Sequence, residues 1–345
     1  MAERPRFWRS DAPGAAVVRA MLRPLSGLYG AVMRLRNLCY DRGWLAVIPP
    51  PVPVIAIGNL TVGGTGKTPL TAWVAQHFVR IGARPGIVLR GVGGDEPLVL
   101  GQLVPEAIVE VTPDRVAGVD RAAAAGATIV VLDDAFQHRR AGRLLDIVVW
   151  SADAADEVSL VLPAGPLREP LQGLLRADLV VITRKAASDA DVAACRGVLS
   201  AVAPGRPIVV VRLEAEALVD AHSGARRALA SLAHTPVLAV SGVGDPEAFE
   251  RQVRTSGARV TALRFGDHHA YGSADIADLL ARAPADGVIL CTLKDAVKLA
   301  PLWPASAPSL WYLSQRVTVE QGAESLATML ASVRPAGSPP PRGPQ

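Results

Sequence analysis

The stretch Gly63-Gly64-Thr65-Gly66-Lys67-Thr68 decides the fold of this chain. It follows an apolar run at 52–57 and precedes a helix-compatible segment at 69–80. A strand, a glycine-rich loop and a helix in this order build a cradle for phosphate, because the loop N–H groups and the helix N-terminus point at the anion. The stretch therefore predicts a phosphate-binding loop.

The Lys-Thr pair at the end of the loop predicts a nucleoside triphosphate bound with Mg²⁺. In such loops the lysine reaches the β- and γ-phosphates and the following hydroxyl binds the metal, which assigns these roles to Lys67 and Thr68. The strict pattern has a glycine five positions before Gly66, where this chain has Thr61, so the loop is a variant. A glycine turn with a solvated lysine explains neither the Lys-Thr order nor the preceding strand. The expected nucleotide-binding residues are Gly63, Gly64, Thr65, Gly66, Lys67, Thr68 and Pro69.

Two adjacent acids, Asp133 and Asp134, follow a wholly apolar run at 128–132. A carboxylate at the C-terminal tip of a buried parallel strand, beside a phosphate loop, can hold Mg²⁺ through water, and ligands bind at that edge of open sheets. A strand-ending turn is the other explanation, since Asp is common there. The Lys-Thr loop favours the metal role. Gln137 and His138 follow at the same edge.

The composition is that of a folded protein with a mildly basic surface. Half of the 345 residues are hydrophobic, and the length predicts roughly two domains. A net charge of +4 suits an anionic substrate or a lipid surface but is too weak to indicate nucleic acid. Cys39, Cys195 and Cys291 are far apart without metal-binding spacing, which indicates buried thiols in a reducing compartment. No protein partner is implied.

The N-terminal region predicts a basic amphipathic helix. In 15–40, apolar residues recur at helical spacing and arginines flank or interrupt them. Such a helix can lie in an anionic bilayer interface, and packing on its own domain is equally compatible with the pattern. Pro24 is expected to break or kink it. The longest uncharged stretch, 44–66, contains four prolines, so no membrane-spanning helix is predicted, and no cleavable signal precedes it.

Apolar runs and helical patterns alternate along the rest of the chain, as in a parallel sheet with crossover helices. We expect an α/β fold with a P-loop NTPase-like core, a second smaller α/β domain and the N-terminal helix. The predicted domains are 1–50 (the helix), 51–150 (the core), 151–333 (the second domain, with a C-terminal segment able to return to the core) and 334–345 (a disordered tail rich in proline and glycine). The predicted strands are 86–90, 108–111, 128–132, 146–150, 178–183, 207–213, 236–243, 258–265 and 287–292, and the predicted helices are 114–126, 189–202, 246–256 and 273–282.

Strings of residues along most of the chain resemble the tetraacyldisaccharide 4'-kinase family. The matches keep their order from Pro24-Leu25-Ser26-Gly27-Leu28-Tyr29 to Lys298. They include the loop with its flanks, Gly58-Asn59-Leu60-Thr61-Val62-Gly63-Gly64-Thr65-Gly66-Lys67-Thr68-Pro69, together with Gly94-Asp95-Glu96-Pro97, Leu132-Asp133-Asp134-Ala135-Phe136-Gln137-His138-Arg139, Leu162-Pro163-Ala164-Gly165-Pro166-Leu167-Arg168-Glu169-Pro170, Phe265-Gly266-Asp267-His268-His269 and Thr292-Leu293-Lys294-Asp295-Ala296-Val297-Lys298.

The resemblance implies transfer of the ATP γ-phosphoryl group, with Mg²⁺, to the 4'-hydroxyl of a tetraacyldisaccharide 1-phosphate in lipid A biosynthesis. The acceptor is a lipid, so the resemblance also implies a peripheral or monotopic enzyme at the cytoplasmic face of the bacterial inner membrane. This favours membrane contact by the N-terminal helix.

The resemblance also implies residue roles. Asp95 matches the family's proposed catalytic base, and His268 matches the histidine that pairs with it; His269 is a weaker candidate. Arg168 is expected at the cleft between domains, bracing phosphate, with Glu169 fixing Arg168 or the metal shell, and structural ion pairing explains both equally well. Lys294 and Asp295 are expected to close a strand and either contact nucleotide or pair across the hinge.

Two other functions remain open. A metallochaperone-type P-loop GTPase would share the loop and the acidic strand end, but it needs an Asn-Lys-x-Asp motif, and Thr292-Leu293-Lys294-Asp295 has the wrong spacing. A catalytically inactive, nucleotide-dependent membrane adaptor would keep its function after loss of Asp95, whereas a kinase would lose turnover and keep nucleotide binding.

Overall fold

The computed structural model describes residues 5–8, 13–91, 94–157 and 160–337. They form an α/β fold with a mostly parallel sheet, as expected. The α-helices are α1 Pro13–Asp41, α2 Lys67–Arg80, α3 Glu96–Leu103, α4 Arg115–Ala124, α5 Asp189–Val202, α6 Pro246–Thr255, α7 Ser273–Ala281, α8 Leu293–Leu299 and α9 Ala323–Ser332. The strands are β1 Val54–Gly58, β2 Pro85–Leu89, β3 Ile108–Val111, β4 Ile129–Leu132, β5 Leu145–Ser151, β6 Leu179–Arg184, β7 Ile208–Asp220, β8 Arg226–Ala228, β9 Pro236–Ser241, β10 Arg259–Arg264, β11 Val288–Thr292 and β12 Leu310–Gln321. Short 3₁₀ helices are Arg6–Trp8, Ala152–Glu157, Leu171–Arg176, Leu229–Leu232 and Ala300–Leu302.

The chain divides into two compact units. The phosphate-loop unit comprises the described residues of 2–90, 103–213 and 317–345, and the second unit comprises those of 91–102 and 214–316. The chain therefore passes from one unit to the other at 90/91, 102/103, 213/214 and 316/317, and not at the expected boundary near Ser151. The physical reason is strand pairing: β6, beyond that boundary, pairs in parallel with β5 and continues the sheet of the phosphate-loop unit.

In the phosphate-loop unit the strands lie in the order β7-β6-β5-β1-β4-β2-β3 and their pairs are parallel. The central strand β1 is completely buried, as its unbroken apolar sequence predicts. Ile55 of β1 pairs with Val131 of β4 on one side and with Leu145 of β5 on the other. Because β1 and β4 are parallel neighbours, the loop after β1 and the acids after β4 come to the same sheet edge.

In the second unit the strand order is β10-β9-β11-β12, again parallel, and β8 pairs antiparallel with the end of β7. Its core is formed by side chains that include Leu238, Val240, Leu279 and Leu299. The strand β11 ends at Thr292, whose hydroxyl accepts the Asp295 N–H and caps α8. Lys294 and Asp295 therefore lie in the first turn of a helix, and the expectation that they close a strand is wrong. The capping residue Thr directly after an apolar run explains the switch.

Two further expectations are corrected. Pro24 does not break the N-terminal helix, since α1 is continuous from Pro13 to Asp41. After Pro24 the helix is hydrogen-bonded to another part of its unit, because the Ser26 hydroxyl donates to Val161 O at 2.8 Å. Disorder does not begin at 334, because the Ala336 N–H donates to Thr128 O at 2.7 Å. Residues 338–345 of the predicted tail lie outside the described residues. None of the described helices combines the length and the apolar composition of a membrane-spanning segment.

Candidate active site

The phosphate loop joins the end of β1 to α2. Gly58 ends β1 so close to Phe136 that a Cβ there would lie 2.5 Å from the Phe136 nitrogen. Two contacts hold Thr65: its carbonyl accepts the Thr183 hydroxyl at 2.8 Å, and its hydroxyl accepts the Asn59 amide at 3.0 Å. Gly66, with φ 82°, is the residue before α2. A non-glycine residue would be strained at this left-handed φ.

The N-terminus of α2 is suited to an anion. No described side chain caps it, and its first turn contains no acidic residue. A helix start has unsatisfied N–H groups and the positive end of the helix dipole, so phosphate oxygens are its natural partners. Lys67 begins this helix and is only 9% exposed. Backbone donors and one cation therefore lie together at the place that the Lys-Thr motif predicts.

Two cations converge on Asp134. Its Oδ1 lies 3.5 Å from Lys67 Nζ and accepts a hydrogen bond of 2.8 Å from Arg168 Nη1. Burial alone would raise the pKa of Asp134, but Lys67 and then Arg168 outweigh it and hold the pKa at about 2. Asp134 also has a left-handed backbone, with φ 49°, which Asp tolerates better than most residues. The carboxylate is therefore charged at physiological pH and fixes both cations beside the loop.

Asp133 is buried deeper than its neighbour. Its Oδ1 accepts the Thr71 hydroxyl at 2.8 Å, and both residues are buried. Burial and then the charge of Asp134 raise the pKa of Asp133, while Lys67 and the Thr71 hydrogen bond oppose the rise. Thr71 lies one helical turn after Lys67, among the buried residues of α2. Sequence reasoning missed it, although its spacing from Lys67 was a usable signal.

The donor set fits Mg²⁺ bound together with phosphate. Hydroxyl and carboxylate oxygens from Thr68, Asp133 and Asp134 are hard ligands, which Mg²⁺ prefers. Among the described residues, no group of three or more His, Cys, Asp or Glu side chains is arranged as a metal site. Mg²⁺ at phosphates is usually bound by one or two protein groups together with phosphate oxygens and water.

Glu169 is a buried carboxylate at the centre of a second polar cluster. It is 1% exposed and accepts hydrogen bonds of 2.9 Å from Gln137 Nε2 and from Asn37 Nδ2 of α1. Its cation is Arg176, at 3.0 Å, rather than Arg168 as expected. Gln137 Nε2 also donates to Asn59 O at 2.9 Å. Glu169 therefore links α1 to the acidic strand end and to the loop.

His138 lies half-buried beyond Gln137. Burial, followed by the charge of Arg115, lowers the pKa of His138 to about 4. Its imidazole is therefore neutral at physiological pH. A neutral ring beside the acidic motif can donate one hydrogen bond and accept another, but it supplies no positive charge to a phosphate.

Asp95 and His268 form a carboxylate–imidazole pair within the second unit. Asp95 directly precedes α3 and is 1% exposed. The His268 Nδ1 lies 3.0 and 3.1 Å from its two carboxylate oxygens, although 173 residues separate the pair in sequence. When Nδ1 carries the proton and donates it to Asp95, the other ring nitrogen, Nε2, is unprotonated in the neutral ring. The hydrogen bond then holds the carboxylate in one orientation. His268 has φ 59°, a left-handed backbone that its surroundings must hold.

A family model for tetraacyldisaccharide-1-P 4'-kinase, LpxK, matches residues 18–94 and 92–334 of the chain. The chain belongs to the LpxK family.

Other LpxK-family proteins match over most of their length. A tetraacyldisaccharide 4'-kinase from Alkalilimnicola ehrlichii is 38% identical over 334 residues, which are 91% of this chain and 92% of that protein. One from Halorhodospira halophila is 38% identical over 348 residues, 94% of this chain and 95% of that protein. The crystal structure of LpxK from Aquifex aeolicus in complex with ATP superposes with a TM-score of 0.73 at 28% identity, covering 92% of this chain and 99% of that one.

The predicted site residues of this LpxK-family chain fall into two groups. The group in the phosphate-loop unit comprises Lys67, Thr68, Asp133, Asp134, Gln137, His138, Arg168 and Glu169. Within it Asp134 contacts Lys67 and Arg168, and Gln137 is hydrogen-bonded to Glu169. The group in the second unit comprises Asp95, His268, His269, Lys294 and Asp295. In that group His269 Nε2 lies 3.1 Å from Asp275, and its ring stacks on Phe265, so its contacts are structural. Lys294 is half-buried in α8.

The helix α1 of this LpxK-family chain packs through polar contacts and leaves apolar side chains outside. The Tyr29 hydroxyl donates to Arg168 O at 2.7 Å, and Arg36 Nη2 donates to Gln137 O at 2.9 Å. The exposed apolar side chains are Val17, Val18, Met21, Leu25, Leu28, Val32, Leu35 and Leu38. Sequence reasoning missed the inward contacts of Tyr29 and Asn37, because a single polar residue in an apolar pattern does not indicate its partner.

Proposed function

We propose that this chain transfers the γ-phosphoryl group of ATP to the 4'-hydroxyl of a tetraacyldisaccharide 1-phosphate, giving lipid IVA in lipid A biosynthesis. The observation that carries the proposal is the Asp95–His268 hydrogen-bonded pair. A phosphate loop alone serves kinases and GTPases equally, whereas a buried carboxylate held by an imidazole is suited to taking a proton from a hydroxyl. Family membership supports the same reaction and disfavours the metallochaperone-type GTPase.

The proposed donor half of the site binds ATP with Mg²⁺. Bound Mg²⁺ would neutralise the phosphate charge that develops during transfer. The Thr68 hydroxyl and the Asp133 and Asp134 carboxylates would hold it, and the backbone of 63–69 would bind the phosphates. Lys67 and Arg168 are already oriented by Asp134, so their charges need little reorganisation to act on phosphate.

The proposed acceptor half uses Asp95 as the general base. A carboxylate oxygen of Asp95 takes the proton of the attacking hydroxyl, and the Nδ1–H of His268 stabilises the oriented carboxylate. General-base catalysis contributes about 10²- to 10⁴-fold to a rate. His268 is a positioning and tuning partner in this scheme, and Asp95 is the catalytic residue.

We also propose that α1 contacts the membrane that contains the acceptor. Met21 is 74% exposed and Leu28 is 65% exposed, although both are large and apolar. A helix whose polar side faces its own protein and whose apolar side faces outward fits a lipid interface, with the arginines among the headgroups. The proposed location is peripheral or monotopic, at the cytoplasmic face of the bacterial inner membrane.

A single reconstitution tests the reaction. Purified protein, Mg-ATP and a tetraacyldisaccharide 1-phosphate in detergent micelles are expected to yield a product with one additional phosphate by mass spectrometry. Lys67→Ala is expected to abolish turnover, whereas Lys185→Ala, an exposed lysine of the same unit, serves as the matched control. Absence of product together with strong GTP hydrolysis would overturn the kinase proposal in favour of the GTPase.

The same assay separates the kinase from an inactive adaptor. In a kinase, Asp95→Asn is expected to lower kcat by about 10²-fold or more while the dissociation constant for ATP changes little. Retention of full turnover by Asp95→Asn would remove Asp95 from the catalytic role.

A further inference from the structure

Asp295 is a fully buried carboxylate with no part in the reaction scheme above. It is 0% exposed in the first turn of α8. Both of its oxygens lie 3.1 Å from the Gly242 nitrogen, and they accept the Tyr271 hydroxyl at 2.8 Å and the Thr292 hydroxyl at 2.7 Å. Lys298 Nζ is 3.8 Å away. A buried carboxylate satisfied in this way is a rigid point to which neighbouring segments are fixed.

Gly242 connects this carboxylate to His268. Its N–H donates to Asp295, and its carbonyl accepts the His268 N–H at 3.2 Å. The approach is close: a Cβ on Gly242 would lie 3.0 Å from Asp295 Oδ1 and 3.1 Å from the Tyr271 hydroxyl. Both distances are tighter than ordinary Cβ contacts, so a larger residue at this position would need Asp295 or Tyr271 to shift by a few tenths of an ångström.

The segment 265–271, which contains His268, is held at further points by the same neighbours. The Phe265 N–H donates to Ser241 O at 2.8 Å, directly before Gly242. Lys298 Nζ donates to His269 O at 3.1 Å. The Tyr271 ring packs edge-on against His269 with centroids 4.9 Å apart. The left-handed backbone of His268 needs such support, because it is disfavoured for residues other than glycine.

We propose that Asp295 is a positioning residue that sets the orientation of His268 toward Asp95. The inference rests on the proposed function only for the role of the Asp95–His268 pair; the structural link through Gly242 stands on the contacts above. Asp295 acts through Gly242 and Tyr271 on the segment 265–271, and it does not itself meet the substrate or the nucleotide in this scheme.

Asp295→Asn is the informative substitution. An asparagine keeps the size of the side chain but replaces one acceptor oxygen with an NH₂ group. The hydroxyls of Tyr271 and Thr292 can rotate to accept from that group, whereas the Gly242 N–H cannot reverse its direction. We therefore expect the hydrogen bonding of the Gly242 N–H to residue 295 to weaken. The His268 ring should then lose its alignment with Asp95.

The kinetic test is a double-mutant cycle of Asp295→Asn with His268→Ala. In the otherwise natural chain, Asp295→Asn is expected to lower kcat by about 10- to 100-fold, the effect of a small misplacement of a reacting group. The KM for Mg-ATP is expected to stay within about twofold. In the His268→Ala background, Asp295→Asn is expected to add no loss beyond about twofold, the range of ordinary non-additivity.

Glu250→Gln is the matched control. Glu250 is 2% exposed in the same unit, and its carboxylate is paired with Arg254 and Arg264. Its loss removes a buried charge of similar kind, so it reports the effect of general destabilisation. We expect Glu250→Gln to leave kcat unchanged in both backgrounds.

A second readout needs no turnover. The chain has six histidines, so ¹⁵N-histidine labelling gives few ring signals, and His268→Ala assigns that of His268. Asp295→Asn is expected to shift this signal, and Glu250→Gln is not.

If Asp295→Asn fails to fold, Tyr271→Phe removes one donor to Asp295 and is expected to show the same non-additivity in kcat with a smaller loss.

The outcomes distinguish the inference from the proposed function. Equal fold-losses from Asp295→Asn with and without His268, together with an unshifted ring signal, would overturn the positioning role and leave the kinase intact. Full turnover of both Asp95→Asn and His268→Ala would instead overturn the proposed role of the pair, while the ring signal would still test the structural link.

Discussion

The substitution Thr71→Val tests how the acidic motif works. The Thr71 hydroxyl donates to Asp133 Oδ1 at 2.8 Å, and the two residues are 0% and 2% exposed. Valine is close to threonine in size, so it removes the donor without opening a large cavity. Because water cannot easily replace the lost donor, we expect a loss of about 2 kcal/mol in the free energy of unfolding, within the range for hydrogen bonds to charged groups.

The loss is expected to depend on pH with a defined sign. Burial and then Asp134 raise the pKa of Asp133 above its ordinary 3.8, and the Thr71 hydrogen bond opposes the rise. A carboxyl whose folded pKa is raised loses stability as pH rises from its unfolded pKa through its folded pKa. Thr71→Val raises the folded pKa further. The difference between variant and natural chain should therefore be small when Asp133 is protonated and should grow as it ionises.

Urea unfolding of both chains at a series of pH values upward from the ordinary aspartate pKa of 3.8 measures this difference. The turnover assay adds a second measurement, since the Mg²⁺ concentration at half-maximal rate should rise when Asp133 is less easily ionised. Thr261→Val, on an exposed position of β10, is the control and should change stability by less than about 0.5 kcal/mol. A loss for Thr71→Val that stays the same across the whole pH series would refute the argument from the charge of Asp133.

Three further outcomes are expected. Burial raises the pKa of Asp146 to about 6, so its ionised form destabilises the fold by up to about 3 kcal/mol at 1.36 kcal/mol per pKa unit. Asp146→Asn should therefore stabilise the chain to urea at pH 7 by about 1–3 kcal/mol and less at pH 4, and a loss at pH 7 would contradict this. Met21→Glu combined with Leu28→Glu should weaken sedimentation with anionic lipid vesicles by about tenfold or more without changing the melting temperature greatly; unchanged binding would argue against α1 as the contact. Asn37→Ala should cost about 1 kcal/mol of stability in urea unfolding, because Glu169 loses one donor, and a neutral result would show that Glu169 needs only Arg176 and Gln137.

Local patterns in the sequence were enough for the phosphate loop and its surroundings. The order strand, glycine loop and helix is contiguous, so the position of Lys67 at the start of α2 follows from neighbouring residues alone. The apolar run before Asp133 likewise predicts a buried strand ending in two acids, and β4 has these bounds within one residue. The parallel α/β architecture was predictable for the same reason, since alternating strand and helix patterns leave few other arrangements.

Other parts of the fold were not readable from local pattern. The sequence patterns did not predict the strand β12 or the helix α9, and they placed Lys294 and Asp295 at the end of a strand instead of in the helix α8. The chain also crosses between its two units several times, so the segment 94–102 belongs with residues that lie more than a hundred positions later. Such a division depends on which strands pair, and pairing is a property of the folded sheet.

The sequence by itself determined which residues lie in the phosphate loop and at the acidic strand end, because each is set by neighbours within one strand–loop–helix unit. Only the tertiary structure decided how side chains from distant segments are paired. Asp95 and His268, expected as partners from family resemblance alone, are joined by 3.0 Å across 173 residues. Thr71 on Asp133, Arg176 on Glu169 and Asp295 behind His268 depend on the register and the packing of neighbouring strands and helices, which sequence spacing does not encode.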